Sequence, residues 1–123
     1  MERLKRRQDF VAAAKASYAA MPGFVVQARD RKDDGQPRVG FTATKKLGNA
    51  VVRNRVKRRL REIARLKLSD QARPGFDYVM IGRSAAMTRS FAELEGDLNS
   101  ALKRLHRKPH VGAEIAGVDK GTP

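Results

Sequence analysis

Residues 45–67 read KKLGNAVVRNRVKRRLREIARLK, and they are the most informative part of the sequence for both fold and function. Gly48 and Asn49 interrupt the preceding pattern, and asparagine is a favoured residue at a helix N-cap. From there to about residue 68, apolar residues recur every three or four positions, as in a helix with one buried face. This predicted apolar stripe consists of Val52, Val56, Leu60, Ile63 and Leu66.

The same segment is strongly basic. Ten of its residues are lysine or arginine, and only Glu62 is acidic, with Arg58 placed one helical turn before it as an ion-pair partner. A solvated helix face normally mixes both signs of charge, and a membrane-surface helix would need its apolar stripe free for lipid. Guanidinium groups can instead donate two parallel hydrogen bonds to phosphate. The predicted RNA-binding residues are Lys45, Lys46, Arg53, Asn54, Arg55, Lys57, Arg58, Arg61 and Arg65.

Composition supports a polyanionic partner. The chain has 123 residues, enough for one compact domain, and 27 lysine and arginine residues against 13 acids give a net charge of +14. It has no cysteine, which excludes disulfides, thiolate metal sites and thiol nucleophiles. No apolar run is long enough to span a bilayer, so we expect a cytoplasmic protein with no membrane partner. We predict a single RNA-binding domain over residues 1–108 and a flexible tail over residues 109–123.

The flanking sequence predicts an α-β-β-α-β-α order. An alanine-rich helix is expected over residues 9–20, ended by Pro22 and Gly23. Strands are expected over residues 24–29 and 38–44, paired as an antiparallel hairpin, and over residues 77–82, which are apolar enough to form a central strand. The last helix starts at Ser90, with Glu93 in capping-box spacing, and its apolar stripe begins at Phe91. The fold class is therefore α/β, an α+β sandwich of a small, three-stranded sheet with packed helices.

A second candidate surface lies before the basic helix. The polar residues Thr42 and Thr44 lead directly into Lys45 and Lys46, and could line a groove for single-stranded RNA. Phe10 is either a base-stacking platform in that groove or a core residue. No acid–base pair or metal-ligand cluster is visible, and His106 and His110 have the positions of solvated tail residues. We predict neither catalytic nor metal-binding residues in the chain.

The motif resembles the signature of the bacterial ribonuclease P protein subunit. The resemblance rests on the Arg53-Asn54-Arg55 core after residues 48–51, together with Asp9-Phe10 and residues 38–41. It implies a left-handed βαβ crossover around the basic helix. It also implies an endoribonuclease that acts as a ribonucleoprotein: the RNA subunit holds Mg²⁺ and performs hydrolysis, and the protein alone is inactive.

The resemblance also assigns partners and a cleft. The implied partners are ribonuclease P RNA and precursor tRNA, without a further protein. The single-stranded 5′ leader would lie in a cleft containing Phe10, Thr42, Thr44 and Lys46, and its endonucleolytic removal is the implied function. Family members often carry aromatic residues where this chain has Ala14 and Gln27. The alternatives are a generic basic RNA-binding protein, such as a ribosomal protein or RNA chaperone, and a stand-alone nuclease, which would need the acidic or histidine cluster that the sequence lacks.

Overall fold

A computed structural model describes residues 1–107, so the predicted tail lies outside the described residues. The elements in chain order are β1 (Glu2–Arg3), α1 (Arg7–Ala14), β2 (Ser17–Ala20), β3 (Phe24–Asp30), β4 (Arg38–Thr42), α2 (Ala50–Ile63), α3 (Ser69–Gln71), β5 (Phe76–Gly82) and α4 (Phe91–Arg107). Short 3-10 turns occur at Lys45–Leu47 and Ser84–Met87, and a π-helical turn at Ala64–Leu68 extends α2. The mixed α/β class is confirmed.

Five strands form one sheet in the order β1-β4-β5-β3-β2. The strand β5 is parallel to β4 and antiparallel to β3. The predicted antiparallel hairpin is therefore wrong, because β5 lies between the two strands that were expected to pair. The predicted three-stranded sheet also lacks β1 and β2. The connection β4-α2-β5 is the parallel crossover that the resemblance implies, and its left-handed sense stays a prediction.

A buried carboxylate holds β5 between its two neighbours. Asp77 is fully buried and lies in register with Arg38 on β4 and Arg29 on β3. Its Oδ1 and Oδ2 accept hydrogen bonds of 2.8 Å from Nε and Nη2 of Arg38, and Oδ1 accepts one of 2.6 Å from Nη1 of Arg31. The inserted strand thus brings guanidinium groups from both neighbouring segments onto one carboxylate, which stabilises this strand order over a direct hairpin.

The predicted helix over residues 9–20 is wrong in its second half. Helix α1 ends at Ala14, and Ser17–Ala20 forms β2, which pairs with β3 in an antiparallel hairpin. Residues 22 and 23 form the tip of that hairpin, closed by the Met21 N–H donating to the Phe24 carbonyl at 2.8 Å. Ala19 is buried within the sheet, so pairing and burial override the helix propensity of this alanine-rich segment.

The helices cover both faces of the sheet. Helix α1 packs on one face over a small cluster that contains Leu4, Ala13 and Val79. Helices α2 and α4 pack on the other face and bury the larger core. No helix within residues 1–107 is long and apolar enough to cross a membrane.

The apolar stripe of α2 is confirmed except at its end. Val56, Leu60 and Ile63 are fully buried, whereas Leu66 is 42% exposed. The π-helical turn, with five-residue hydrogen-bond spacing, rotates the buried face so that Leu68 follows Ile63 in the core. The predicted burial of Phe91 in α4 is also wrong, because this ring is 43% exposed and lies beneath the Arg59 guanidinium.

Candidate nucleic-acid interface

The loop before α2 fixes where the basic helix begins. Gly48 has a φ of 141°, a conformation that glycine adopts more readily than other residues. The predicted cap is confirmed, since Asn49 Oδ1 accepts a hydrogen bond of 3.0 Å from the Val52 N–H. Arg53 Nη1 also donates to the Gly48 carbonyl at 3.0 Å. Arg53 therefore orders the loop as well as contributing charge to the surface.

The predicted RNA-binding residues form one surface on and beside α2. Asn54, Arg58, Arg61 and Arg65 are exposed opposite the buried stripe, Lys57 and Arg53 lie half-buried on one flank, and Arg55 is exposed on the other. Lys45 and Lys46 extend this surface from the exposed 3-10 turn. The helix periodicity and its buried side together place these groups toward solvent.

Two further arginines of the basic segment, besides Arg53, have partners within the protein. Arg65 Nη2 lies 2.6 Å from Glu62 Oε2, so Glu62 pairs with Arg65 and not with Arg58 as expected. The hydrogen bond from Arg65 lowers the pKa of the Glu62 carboxyl. Arg59 is half-buried, donates to the Arg89 carbonyl and lies 4.7 Å from the centre of the Phe91 ring. Arg59 thus joins α2 to the start of α4.

The remaining charges of the helix have one sign. Within residues 1–107 no acidic side chain pairs with Arg53, Arg55, Lys57, Arg58 or Arg61. Five cationic groups without an ion pair, spread over about two and a half helical turns, repel one another in the free protein. We name this set the α2 basic face. Its chemistry is suited to a ladder of phosphates, which guanidinium groups bind through parallel hydrogen bonds.

The predicted leader residues lie on the opposite face of the sheet. Gly40, Val79, Gln27 and Tyr18 form one cross-strand row, and Thr42, Ile81, Val25 and Ala20 form the next. A Cβ atom on Gly40 would lie only 2.6 Å from Phe10 Cε1, so the absent side chain lets Phe10 lie directly on β4. Phe10 and Thr42 are both half-buried and lie on the face of the sheet that α1 covers, where the leader groove is predicted.

The other two predicted groove residues lie beyond the strand. Thr44 and Lys46 are exposed after the end of β4, in the turn that leads to α2. They extend the groove toward the basic helix. We call the surface formed by Phe10, Thr42, Thr44 and Lys46, with the adjoining rows of β5, β3 and β2, the α1 groove.

Tyr18 is an aromatic residue of this groove that the sequence analysis missed. It is half-buried in β2 and lies directly across from Gln27, while its neighbour Ala19 is buried on the other face. Opposed side chains in an antiparallel pair have Cβ atoms about 4.5–5.5 Å apart. Residues 17–20 read Ser-Tyr-Ala-Ala without polar–apolar alternation, so the strand propensity of tyrosine was the local signal for β2. Tyr18 thus supplies an aromatic side chain beside Gln27 and near the end of α1, where Ala14 is exposed.

An ion-pair network fixes α1 over the sheet. Asp9 lies 3.5 Å from Arg29 Nη1 and 3.6 Å from Arg38 Nη2, and both arginines also reach Asp77. Asp9 directly precedes Phe10, so the network determines where the Phe10 ring meets β4. Burial raises the pKa of the Asp77 carboxyl, but hydrogen bonds from Arg38 and Arg31 outweigh it and hold that pKa below its ordinary value.

His106 is not the solvated tail residue that was expected. It lies within α4, with Nε2 2.8 Å from the Tyr78 hydroxyl and its ring edge-on to Phe76. Burial, and then the charge of Arg73, lowers the pKa of His106 to about 4. Burial raises the pKa of Tyr78 to about 12. This cluster anchors the end of α4, and His110 lies outside the described residues.

Most acidic side chains of the domain accept hydrogen bonds that stabilise the fold. Asp97 accepts two hydrogen bonds from Arg89, at 2.8 and 2.9 Å, and the predicted capping box is confirmed because Glu93 accepts from the Ser90 N–H at 2.9 Å. Within residues 1–107, no group of three or more histidine or acidic residues is arranged to hold a metal ion.

The chain is similar to known proteins of one family. A family model described as Ribonuclease P matches residues 1–106. The ribonuclease P protein component of Ruegeria pomeroyi is 54% identical over 107 residues, which cover 84% of this chain and 85% of the relative. That of Caulobacter vibrioides is 54% identical over 102 residues, with 82% and 68% covered.

Two solved structures share the fold. The ribonuclease P protein from Thermotoga maritima is 31% identical, with a TM-score of 0.69, and the match covers 85% of this chain and 97% of that one. The Staphylococcus aureus ribonuclease P protein is also 31% identical, with a TM-score of 0.68 and coverage of 84% and 94%. Sequence and structure therefore give the same assignment.

Proposed function

This chain belongs to the family of ribonuclease P protein subunits, and from that membership we propose a division of labour between its two surfaces. The α2 basic face binds the catalytic RNA subunit, and the α1 groove holds the single-stranded 5′ leader of precursor tRNA. Together they promote endonucleolytic removal of the leader by the ribonucleoprotein. A cytoplasmic location is part of this proposal.

The observation that carries the proposal is the single-signed α2 basic face. Its five cationic groups have no ion pair within residues 1–107, although repulsion between them opposes helix formation. Binding to a phosphate backbone removes that repulsion and releases counterions from the RNA. The generic RNA-binding alternative accounts for this charge equally well, but it does not account for the family match over residues 1–106.

The proposal assigns hydrolysis and Mg²⁺ to the RNA subunit. This assignment is supported by the acidic side chains of the protein, several of which are already bonded to arginine. Asp77, Asp97 and Glu62 each accept hydrogen bonds from an arginine side chain. The protein's contribution is then positioning and charge. With a net charge of +14, it can bring two polyanions together under conditions where few divalent ions are available to screen them.

A cleavage assay tests this division of labour. Precursor tRNA is incubated at low Mg²⁺ with the full-length protein alone, with the RNA subunit alone, and with both. We expect rapid release of the 5′ leader only when both are present, and slow cleavage by the RNA alone that rises at high Mg²⁺. Specific cleavage by rigorously RNA-free protein would contradict the assignment, as would a mixture no faster than the RNA alone.

A further inference from the structure

A cavity on the α2 side of the sheet is separate from the α1 groove. Its volume is about 320 Å³, at the lower end of the range for small-molecule sites. Val39, Phe41 and Ala64 form its apolar floor, and Arg3, Arg61 and Arg65 form its rim. It opens at the edge of the sheet where β1 and β4 meet the last turns of α2.

One guanidinium group of the rim lies over an aromatic ring of the floor. The guanidinium carbon of Arg3 lies 5.1 Å from the centre of the Phe41 ring, and Phe41 is half-buried. Proteins bind unpaired nucleobases by stacking them on aromatic rings and on guanidinium planes. An apolar floor with such a stack at its mouth therefore has the chemistry to accept one base.

The charge around the cavity suits the phosphate of the same nucleotide. Arg65 is paired with Glu62, but Arg3 and Arg61 have no ion pair within the described part of the chain. Arg61 also belongs to the α2 basic face, so the cavity is continuous with the surface proposed to bind the catalytic RNA. This continuity selects RNA as the occupant over an apolar peptide, which would leave both guanidinium groups without a partner.

We propose that this cavity binds a single unpaired nucleotide, extruded from the catalytic RNA where the RNA lies against α2. The inference rests on the proposed function and adds to it a site that recognises a base as well as phosphates. Phosphate contacts alone position a protein on RNA without selecting a sequence or an unpaired residue. Binding of one specific nucleotide in the cavity would set the position of the protein along the RNA.

The test measures binding of an RNase P RNA transcript to the full-length protein at several salt concentrations. Phe41→Leu keeps an apolar floor but removes the ring, and we expect about tenfold weaker binding with an unchanged salt slope, because stacking is not ionic. Arg3→Gln should weaken binding and also flatten the log–log slope by about one. Phe91→Leu is the matched control, since Phe91 forms the same kind of stack with Arg59 outside the cavity.

A cross-linking experiment covers the case in which Phe41→Leu is unstable. The chain has no cysteine, so Ser69→Cys at the cavity provides a single attachment point for a photoreactive group. We expect cross-links to one unpaired nucleotide, and their loss in an Arg3→Gln background. Cross-links spread over base-paired RNA would overturn the proposal.

The outcomes separate this site from the proposed function. If Arg58→Ala weakens RNA binding while Arg3→Gln and Phe41→Leu bind like the wild type, the cavity is not a nucleotide site and the α2 basic face stands. Equal losses in Phe41→Leu and Phe91→Leu also overturn the cavity proposal. If the wild-type protein does not bind the catalytic RNA, the proposed function fails and this inference fails with it.

Discussion

Replacing Asp77 by asparagine tests the ion-pair network that holds β5 and α1 in place. The carboxylate is fully buried and accepts three hydrogen bonds of 2.6–2.8 Å from Arg31 and Arg38. Asparagine has nearly the same shape, but it removes the charge and presents an NH₂ group to guanidinium donors. Removing one partner of a buried ion pair costs about 3–5 kcal/mol.

The structure places the expected cost at the lower end of this range. The side chains of Arg31, Arg38 and Arg29 are 12%, 25% and 33% exposed, so water can solvate them once the carboxylate is gone. We therefore expect a loss of about 3 kcal/mol in the free energy of unfolding. For a domain of this size that corresponds to a fall of roughly 12–24 °C in Tm.

The assay is thermal unfolding followed by circular dichroism, with Asp33→Asn as a matched control. Asp33 contacts the same Arg31 at 3.1 Å, but its side chain is 52% exposed, so its replacement should leave Tm nearly unchanged. A fall of only a few degrees in Asp77→Asn, or an equal fall in both variants, would refute the reasoning.

The same variant carries a pH signature. Because the folded-state pKa of Asp77 lies below its ordinary value, its contribution to stability is present above the unfolded pKa and is lost as pH falls through the folded value. Acidification below about pH 4 should therefore destabilise the wild type more than Asp77→Asn. Parallel stability curves over this range would contradict the assigned role of the carboxylate.

Three further predictions concern the groove, α4 and the free basic helix. Phe10→Ala and Tyr18→Ala should each weaken binding of precursor tRNA by about 1–3 kcal/mol per lost stacking contact, with little effect on mature tRNA, and equal losses for both ligands in folded variants would exclude a leader contact. The pKa of His106 is lowered to about 4 in the folded protein, so between about pH 4 and 6.5 the unfolded chain binds a proton at this residue that the folded protein does not. The free energy of unfolding should therefore fall as pH drops from about 6.5 toward 4. His106→Gln should reduce that pH dependence in thermal unfolding, and an unchanged curve would show that His106 does not cause it. Added sulfate should raise the Tm of the free protein by screening the α2 basic face, and a Tm independent of sulfate would argue against repulsion there.

The parts of the fold that the sequence predicted correctly are locally encoded. The Asn49 cap, the Ser90–Glu93 capping box and the buried stripe from Val56 to Ile63 each depend on residues within a few positions of one another. The exposed position of the basic residues on α2 was also predictable, because the buried stripe determines which side of the helix faces solvent. Local signals of this kind survive in the folded protein when tertiary contacts agree with them.

The errors arise where distant residues decide the structure. The pairing of β5 with its two neighbours brings Asp77 to Arg31 and Arg38, which lie 46 and 39 residues away in the chain. A single aspartate at the start of an apolar strand gives no sign of this pairing. Similarly, residues 17–20 form a strand because they pair with the edge of β3. A helix was predicted for these residues, so Tyr18 was not among the predicted groove residues.

The salt dependence of binding between the protein and its catalytic RNA shows directly whether the α2 basic face contacts phosphates. Arg58→Ala and Arg61→Ala remove exposed charges that lie off the buried stripe, so both variants should fold normally. Arg7→Ala, an exposed arginine on α1 at the opposite face of the sheet, serves as the control. We expect each α2 variant to bind more weakly and to flatten the log–log slope of affinity against salt by about one, with the control unchanged. If neither α2 variant changes the affinity or the slope, the basic face is a solvated surface and does not bind the RNA.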